Sequence, residues 1–200
     1  MEPLKLIVGE GGEVIPLPEP RTEPEQIPPR IFVASIGDYE QYDRLHGNWL
    51  DATGEPEALE AELRAVVRGS RSGSPLWGVY EAEGFYGLEL DAEWQDLGYV
   101  SRLANGIAIH GEAFKYWAQL VTETEQLPDF EERYIGRFKT AADYAQHLAE
   151  EFGVNEALAQ LTPGLRPFVR FDTEAYAKEL VESGCVAVVE GSDGVHCFAM

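Results

Sequence analysis

From Arg30 onward the chain alternates short apolar runs with longer helical stripes. Ile31-Phe32-Val33-Ala34 predicts a strand, and His46 to Asp51 a second. Glu55-Pro56-Glu57 opens a helix with proline in its first turn, where the missing N–H has no helical partner to lose. Leu59, Leu63, Val66 and Val67 then recur at i, i+4, i+7 and i+8 and form one apolar stripe, which leaves Glu57, Glu60, Glu62 and Arg64 for the exposed side. After the loop Gly69-Ser70-Arg71-Ser72-Gly73-Ser74, a third strand is predicted at Trp77 to Glu81. One helix against three strands makes a small α+β unit over residues 31–92.

Val100, Leu103, Ala104 and Ile107, followed by Phe114, Trp117, Ala118 and Val121, keep helical spacing on either side of a break at His110-Gly111. Residues 93–128 therefore read as a compact helical unit. Tyr134 to Phe138 returns to strand, Thr140 caps a helix carrying Tyr144, Leu148 and Phe152 that stops at Gly153, and Asp172 caps another through Tyr176 and Leu180 that stops at Gly184. A hairpin over 185–198 pairs Glu190 with Val195 and Cys197 with Val188, which completes a second α+β unit over 129–200. Residues 1–30 hold seven of the twelve prolines and are expected to form an extended acidic tail after a short strand at Leu4 to Val8. The expected fold class is α+β: three small units (α+β, helical, α+β) joined end to end into an elongated chain, because no single apolar set looks large enough to fold them into one sphere.

Charge changes the picture more than composition does. The 36 acidic residues outweigh 15 Lys and Arg, for a net charge of -21 and a pI near 4.4. A phosphate backbone is held by neutralising it with Lys and Arg, and here the basic residues are scattered, with Arg64, Arg68 and Arg71 the nearest approach to a cluster. Direct nucleic-acid binding is disfavoured, and the partner should be basic. All four segments are net negative, so the low pI does not come from a polyacidic tail. In the predicted hairpin Cys185 points away from Cys197, so the two thiols should stay free, as suits a reducing cytoplasm. No apolar run approaches the ~18 residues of a membrane span, and Leu4 to Val8 is too short for a signal-peptide core. No membrane partner and a cytoplasmic location are expected.

Chemistry-bearing motifs are missing. His46, His110, His147 and His196 lie far apart, without His-Glu-x-x-His, Cys-x-x-Cys or calcium-loop spacing, and neither glycine-rich stretch has the pattern of a phosphate or dinucleotide loop. No metal and no cofactor are expected. Adjacent acids such as Glu131-Glu132 and Glu150-Glu151 point about 100° apart on a helix and do not converge on one substrate atom. No catalytic residue is assigned, and the chain is not expected to be an enzyme, although a small acidic hydrolase or transferase is the rival from that class.

Several segments in order carry a resemblance. These are Arg30-Ile-Phe-Val-Ala-Ser35 with Asp38-Tyr39, Leu45-His-Gly-Asn-Trp-Leu-Asp51, Glu83-Gly-Phe-Tyr-Gly87, Phe138-Lys-Thr-Ala-Ala-Asp-Tyr-Ala145, Phe171 to Leu180 and Glu190 to Phe198. Together they resemble the antirestriction protein ArdA family over roughly residues 30–200. The resemblance implies an elongated acidic homodimer that mimics bent B-form DNA and fills the DNA-binding groove of type I restriction-modification enzymes. The residues it implicates are surface carboxylates: Asp38, Glu40, Asp43, Glu57, Glu60, Glu62, Glu81, Glu83, Asp91, Asp96, Glu112, Glu123, Glu125, Glu131, Glu132, Asp143, Glu150 and Glu151. The family's antirestriction segment, which bears on the dimer contact, falls on Tyr144 to Gly153 and points to Tyr144, Leu148 and Phe152. Duplex DNA carries about one charge per 1.7 Å of axis, so two chains of this charge match roughly 70 Å, or about twenty base pairs. An acidic binding module for another basic DNA-binding protein is the alternative.

Overall fold

The computed structural model describes residues 27–89 and 96–200. The expected strand at Leu4 to Val8, the tail as far as residue 26 and the boundary near 92 lie outside the described residues. The first unit runs β1 (Arg30–Ser35), α1 (Ile36–Tyr42), β2 (Gly47–Asp51), α2 (Pro56–Arg68) and β3 (Trp77–Glu83). Its strands form an antiparallel sheet in the order β2-β1-β3, with Ile31 opposite Leu50 and Ala82, and Phe32 opposite Trp49 and Glu81. Side chains alternate along a strand. Ile31, Val33 and Leu50 therefore pack inward with Leu59 and Leu63 of α2, all buried, while Arg30, Phe32, Trp49, Asp51, Glu81 and Glu83 share the outer face. The register shifts between Phe32 and Val33, which leaves Tyr80 as the extra residue of a bulge.

The helix α1 has no counterpart among the elements expected from the sequence. At seven residues it is too short to show an apolar stripe, and its caps define it instead: Ser35 Oγ accepts the Asp38 N–H, and Asp43 closes the other end in the left-handed conformation at φ 52°.

Next come α3 (Leu97–His110), α4 (Glu112–Leu120), a 3-10 turn at Thr124–Asp129 and the short α5 (Phe130–Arg133). The break falls where expected, at Gly111, whose φ of 63° costs a residue without a Cβ little. Gly106 lets α3 and α4 close up, since a Cβ there would sit 2.2 Å from the Phe114 ring. The chain continues through β4 (Tyr134–Phe138), α6 (Ala141–Glu151), α7 (Val154–Ala159), a 3-10 turn at Arg166–Phe168, α8 (Thr173–Glu182), β5 (Val186–Gly191) and β6 (Gly194–Ala199). Thr140 and Asp172 cap α6 and α8 by accepting the Asp143 and Ala175 N–H groups. The second sheet is antiparallel in the order β4-β6-β5, and Glu190 faces Val195 and Cys197 faces Val188, in the expected register.

The core does not divide at the expected unit boundaries. One buried cluster reaches from Ile31 and Leu63 through Val100, Ile107 and Trp117 to Phe130 and Phe198. A smaller one gathers Tyr144, Val186 and Cys197 with Phe138, Leu148 and Leu180 against it. Alternation along β6 explains the split, because Phe198 turns toward the helices, stacking on Trp117 with ring centroids 5.8 Å apart, while Cys197 turns toward α6.

Candidate target-binding surface

The acidic residues divide into those that hold the fold together and those that face water. Asp38 belongs to the first kind, against the expectation from sequence. Its residue surface is 3% exposed, and its carboxylate accepts hydrogen bonds from Ser70 Oγ at 2.8 Å, the Arg71 N–H at 3.0 Å and the Ser72 N–H at 2.6 Å. It ties α1 to the loop before β3. Burial works against its ionisation, but the Ser72, Arg71 and Ser70 donors outweigh that and hold the carboxyl well below the usual range. A charge sealed in this way presents no oxygen to a partner, so Asp38 leaves the surface set.

Glu112 is the second structural carboxylate. It accepts from Tyr116 Oη at 2.8 Å and from Ser192 Oγ at 2.8 Å, so it clips α4 to the β5–β6 turn. Burial opposes its charge, but the donors from Tyr116 and Ser192 prevail and lower its pKa. The same bond and burial push the Tyr116 phenol up to about 12, burial being the larger cause. Glu60 is bound to Arg64 one helical turn on, and Glu83 accepts from Arg30 Nε at 2.7 Å. Asp96 caps α3 through the Tyr99 N–H, Glu123 forms a capping box with Gln126, and Asp143 accepts from Thr140 Oγ1. Glu150 accepts from Gln146, Glu151 faces His147 at 3.6 Å, and Glu131 lies 3.8 Å from His110.

Glu40, Asp43, Glu57, Glu62, Glu81, Glu125 and Glu132 are exposed. They sit on α1, its cap, α2, β3, the 3-10 turn and α5, so the acidic surface is assembled from many elements. Asp91 lies outside the described residues. Glu55 and Asp129, which the sequence reading did not single out, are exposed beside Glu57 and Glu131, and nothing in the sequence distinguishes them from their neighbours.

The three residues read as dimer contacts separate. Tyr144 is buried against Phe138, Val186 and Cys197, and Leu148 packs on the same cluster. Both are committed within the chain, because the second sheet covers that face of α6, and the resemblance that pointed to them as dimer contacts carried no information on burial. Phe152, 71% exposed at the end of α6, is the one left at the surface, and Leu165 and Phe168, later in the chain, are also exposed, at 56% and 83%.

Among the described residues no group of three His, Cys, Asp or Glu side chains is placed to hold a metal ion. A cleft of about 880 Å³ is lined by Leu63, Val67, Trp77 and Leu97; of its ionisable groups Glu60 and Arg64 pair with each other and Asp96 caps α3, while Arg68 stands exposed at the end of α2. Both cysteines are free, and burial pushes the Cys197 thiol up to about 11. No helix among the described residues is long and apolar enough to cross a membrane.

Fold and surface together define an acidic α+β protein whose distinguishing chemistry is a spread of carboxylates held on ordered elements. The chain belongs to the ArdA antirestriction protein family, which it matches over residues 31–193. That span begins where the proline-rich segment ends. A comparison with individually curated proteins gives no match.

Proposed function

We propose that this protein inhibits type I restriction-modification enzymes by presenting a B-DNA-like surface of carboxylates to their DNA-binding groove, as a homodimer. The observation that carries the reading is the placement of exposed acids on α1, α2, β3, the 3-10 turn at Thr124–Asp129, α5 and α6 within the span that matches the family. A groove lined by Lys and Arg responds to charge density, so carboxylates need not copy each phosphate position. The target-binding set on this reading is Glu40, Asp43, Glu57, Glu62, Glu81, Glu125, Glu131, Glu132, Glu150 and Glu151, with Glu60, Glu83, Asp96, Glu123 and Asp143 contributing charge while also bonded within the chain. Exposed Phe152 and Phe168 support the homodimer, since large rings left in water favour a partner surface. The test titrates the purified protein into a type I methyltransferase bound to labelled duplex DNA. Displacement that weakens with added salt is expected, and DNA that stays bound at saturating protein refutes the proposal.

A further inference from the structure

The outer face of the first sheet, turned away from α2, mixes aromatic rings with carboxylates. Trp49 and Phe32 meet edge to face at 5.6 Å between ring centroids, and the bulged Tyr80 meets Tyr39 of α1 in the same manner at 6.3 Å. Asp51, Glu81 and Glu83 share this face by strand register. Glu40 lies close as well. Burial first, then Tyr39 and the charge of Glu40, push the Tyr80 phenol up. Tyr39 is 49% and Tyr80 42% exposed, so both rings keep an open side.

The protein's own arginines show what such a face holds. The Arg30 guanidinium sits 4.6 Å from the Trp49 ring centroid while its Nε donates to Glu83 at 2.7 Å, with a ring beneath and a carboxylate at the edge. Arg71 lies 4.7 Å over Tyr42, three residues along α1 from Tyr39 and on the same side of that helix. A guanidinium is planar and weakly hydrated, so it stacks on a ring and donates in its own plane at the same time. An ammonium is a compact, strongly hydrated charge that gains less from the ring. Tyr39 and Tyr80, with Glu40 and Glu81 beside them, repeat the pairing of ring and carboxylate. Sheet faces bearing aromatic side chains also read single-stranded nucleic acid, but those faces carry Lys and Arg free for the phosphates, whereas here Arg30 is paired with Glu83 and the carboxylates Glu40, Asp51 and Glu81 repel them.

Resting on the proposed occupation of a DNA-binding groove, we infer that this outer face is an arginine-docking surface, with Tyr39 and Tyr80 stacking on guanidinium groups of the partner while neighbouring carboxylates accept their N–H donors. Carboxylates alone attract Lys and Arg grooves alike, and the rings give this protein a preference for arginine.

The test uses the full chain and fluorescein-labelled octa-arginine and octa-lysine peptides, read by anisotropy. The wild type should bind the arginine peptide more tightly. Tyr39→Leu with Tyr80→Leu should weaken that complex about two- to fivefold per ring and weaken the lysine complex by less. Tyr39→Phe with Tyr80→Phe should retain the preference, because the ring face and not the hydroxyl makes the contact. Equal affinity for both peptides in the wild type, an equal loss for both in the leucine variant, loss of preference in the phenylalanine variant, or tighter binding of an oligothymidine strand than of either peptide would overturn the inference. The peptide assay contains no restriction enzyme. A protein that displaces no DNA yet keeps a ring-dependent arginine preference refutes the mimic reading and leaves this surface standing, and the opposite pair of results refutes this inference alone.

Discussion

Converting Glu40, Glu57, Glu62, Glu81, Glu125 and Glu132 to glutamine, singly and then cumulatively, separates a distributed charged surface from a concentrated site. All six are exposed and they lie on five different elements. Each contact with a partner cation is then made in wet, screened surroundings and contributes about 0.2–1 kcal/mol. A single substitution should raise the Kd for a type I methyltransferase only about 1.4- to 5-fold. Well-separated sites add, so all six together should cost about 1.2–6 kcal/mol, from about eightfold to about twenty-thousandfold in Kd. Screening sharpens the test, because the Debye length falls from about 8 Å at 0.15 M salt to about 3 Å at 1 M, and the difference between wild type and sixfold variant should shrink with it. Asp38→Asn is the internal control. That side chain is sealed under the Ser70-Arg71-Ser72 loop, so its loss should lower the melting temperature and leave the affinity of the folded protein unchanged. The assay is displacement of labelled duplex at two salt concentrations, with thermal melts of every variant. A sixfold variant that competes as well as wild type would refute the reasoning. So would one exposed carboxylate whose single loss abolishes competition in a folded protein, since that is how catalytic groups acting as a unit behave.

Phe198→Ala should destabilise the fold by about 3–5 kcal/mol, measured by urea denaturation, because the ring is fully buried among Trp117, Phe130 and Tyr134 where the second sheet meets the helices. Burial lowers the pKa of His196, with Arg137 adding to the effect and Glu112 and Asp193 working against it, while Nδ1 stays bonded to Tyr134 Oη at 3.0 Å. The unfolded chain therefore takes up a proton below about pH 6.5 that the folded chain resists, so stability is full above that pH and declines as it falls, and His196→Phe should flatten the slope of melting temperature between pH 7 and pH 5. Phe152→Asp combined with Phe168→Asp should convert a dimer to monomer in light scattering while the melting temperature of the monomer holds, whereas Tyr144→Ala, made inside the second core, should lower stability instead.

Local rules carried the sequence reading a long way for particular elements. The α2 stripe was legible because a 3.6-residue period needs no knowledge of what it packs against, and Leu59 and Leu63 are buried where that stripe placed them. The caps at Thr140 and Asp172, the break at Gly111 and the hairpin register depend on neighbours a few residues apart, and all are present. The net charge, the absence of a basic cluster and the spread of acids along the chain are likewise properties of the sequence alone. What it could not decide was which side of each element meets another element distant in the chain. Asp38 reads like any other acid until a loop more than thirty residues away folds its donors over it, and Tyr144, a dimer contact by the resemblance, is taken up inside the chain by Val186 and Cys197. The continuous core from Ile31 to Phe198 and the shared outer face of Trp49, Phe32, Tyr80 and the ring of Tyr39 arise the same way. Burial is a property of pairs of surfaces, and those pairs exist only once the strands have found their order and the helices their neighbours.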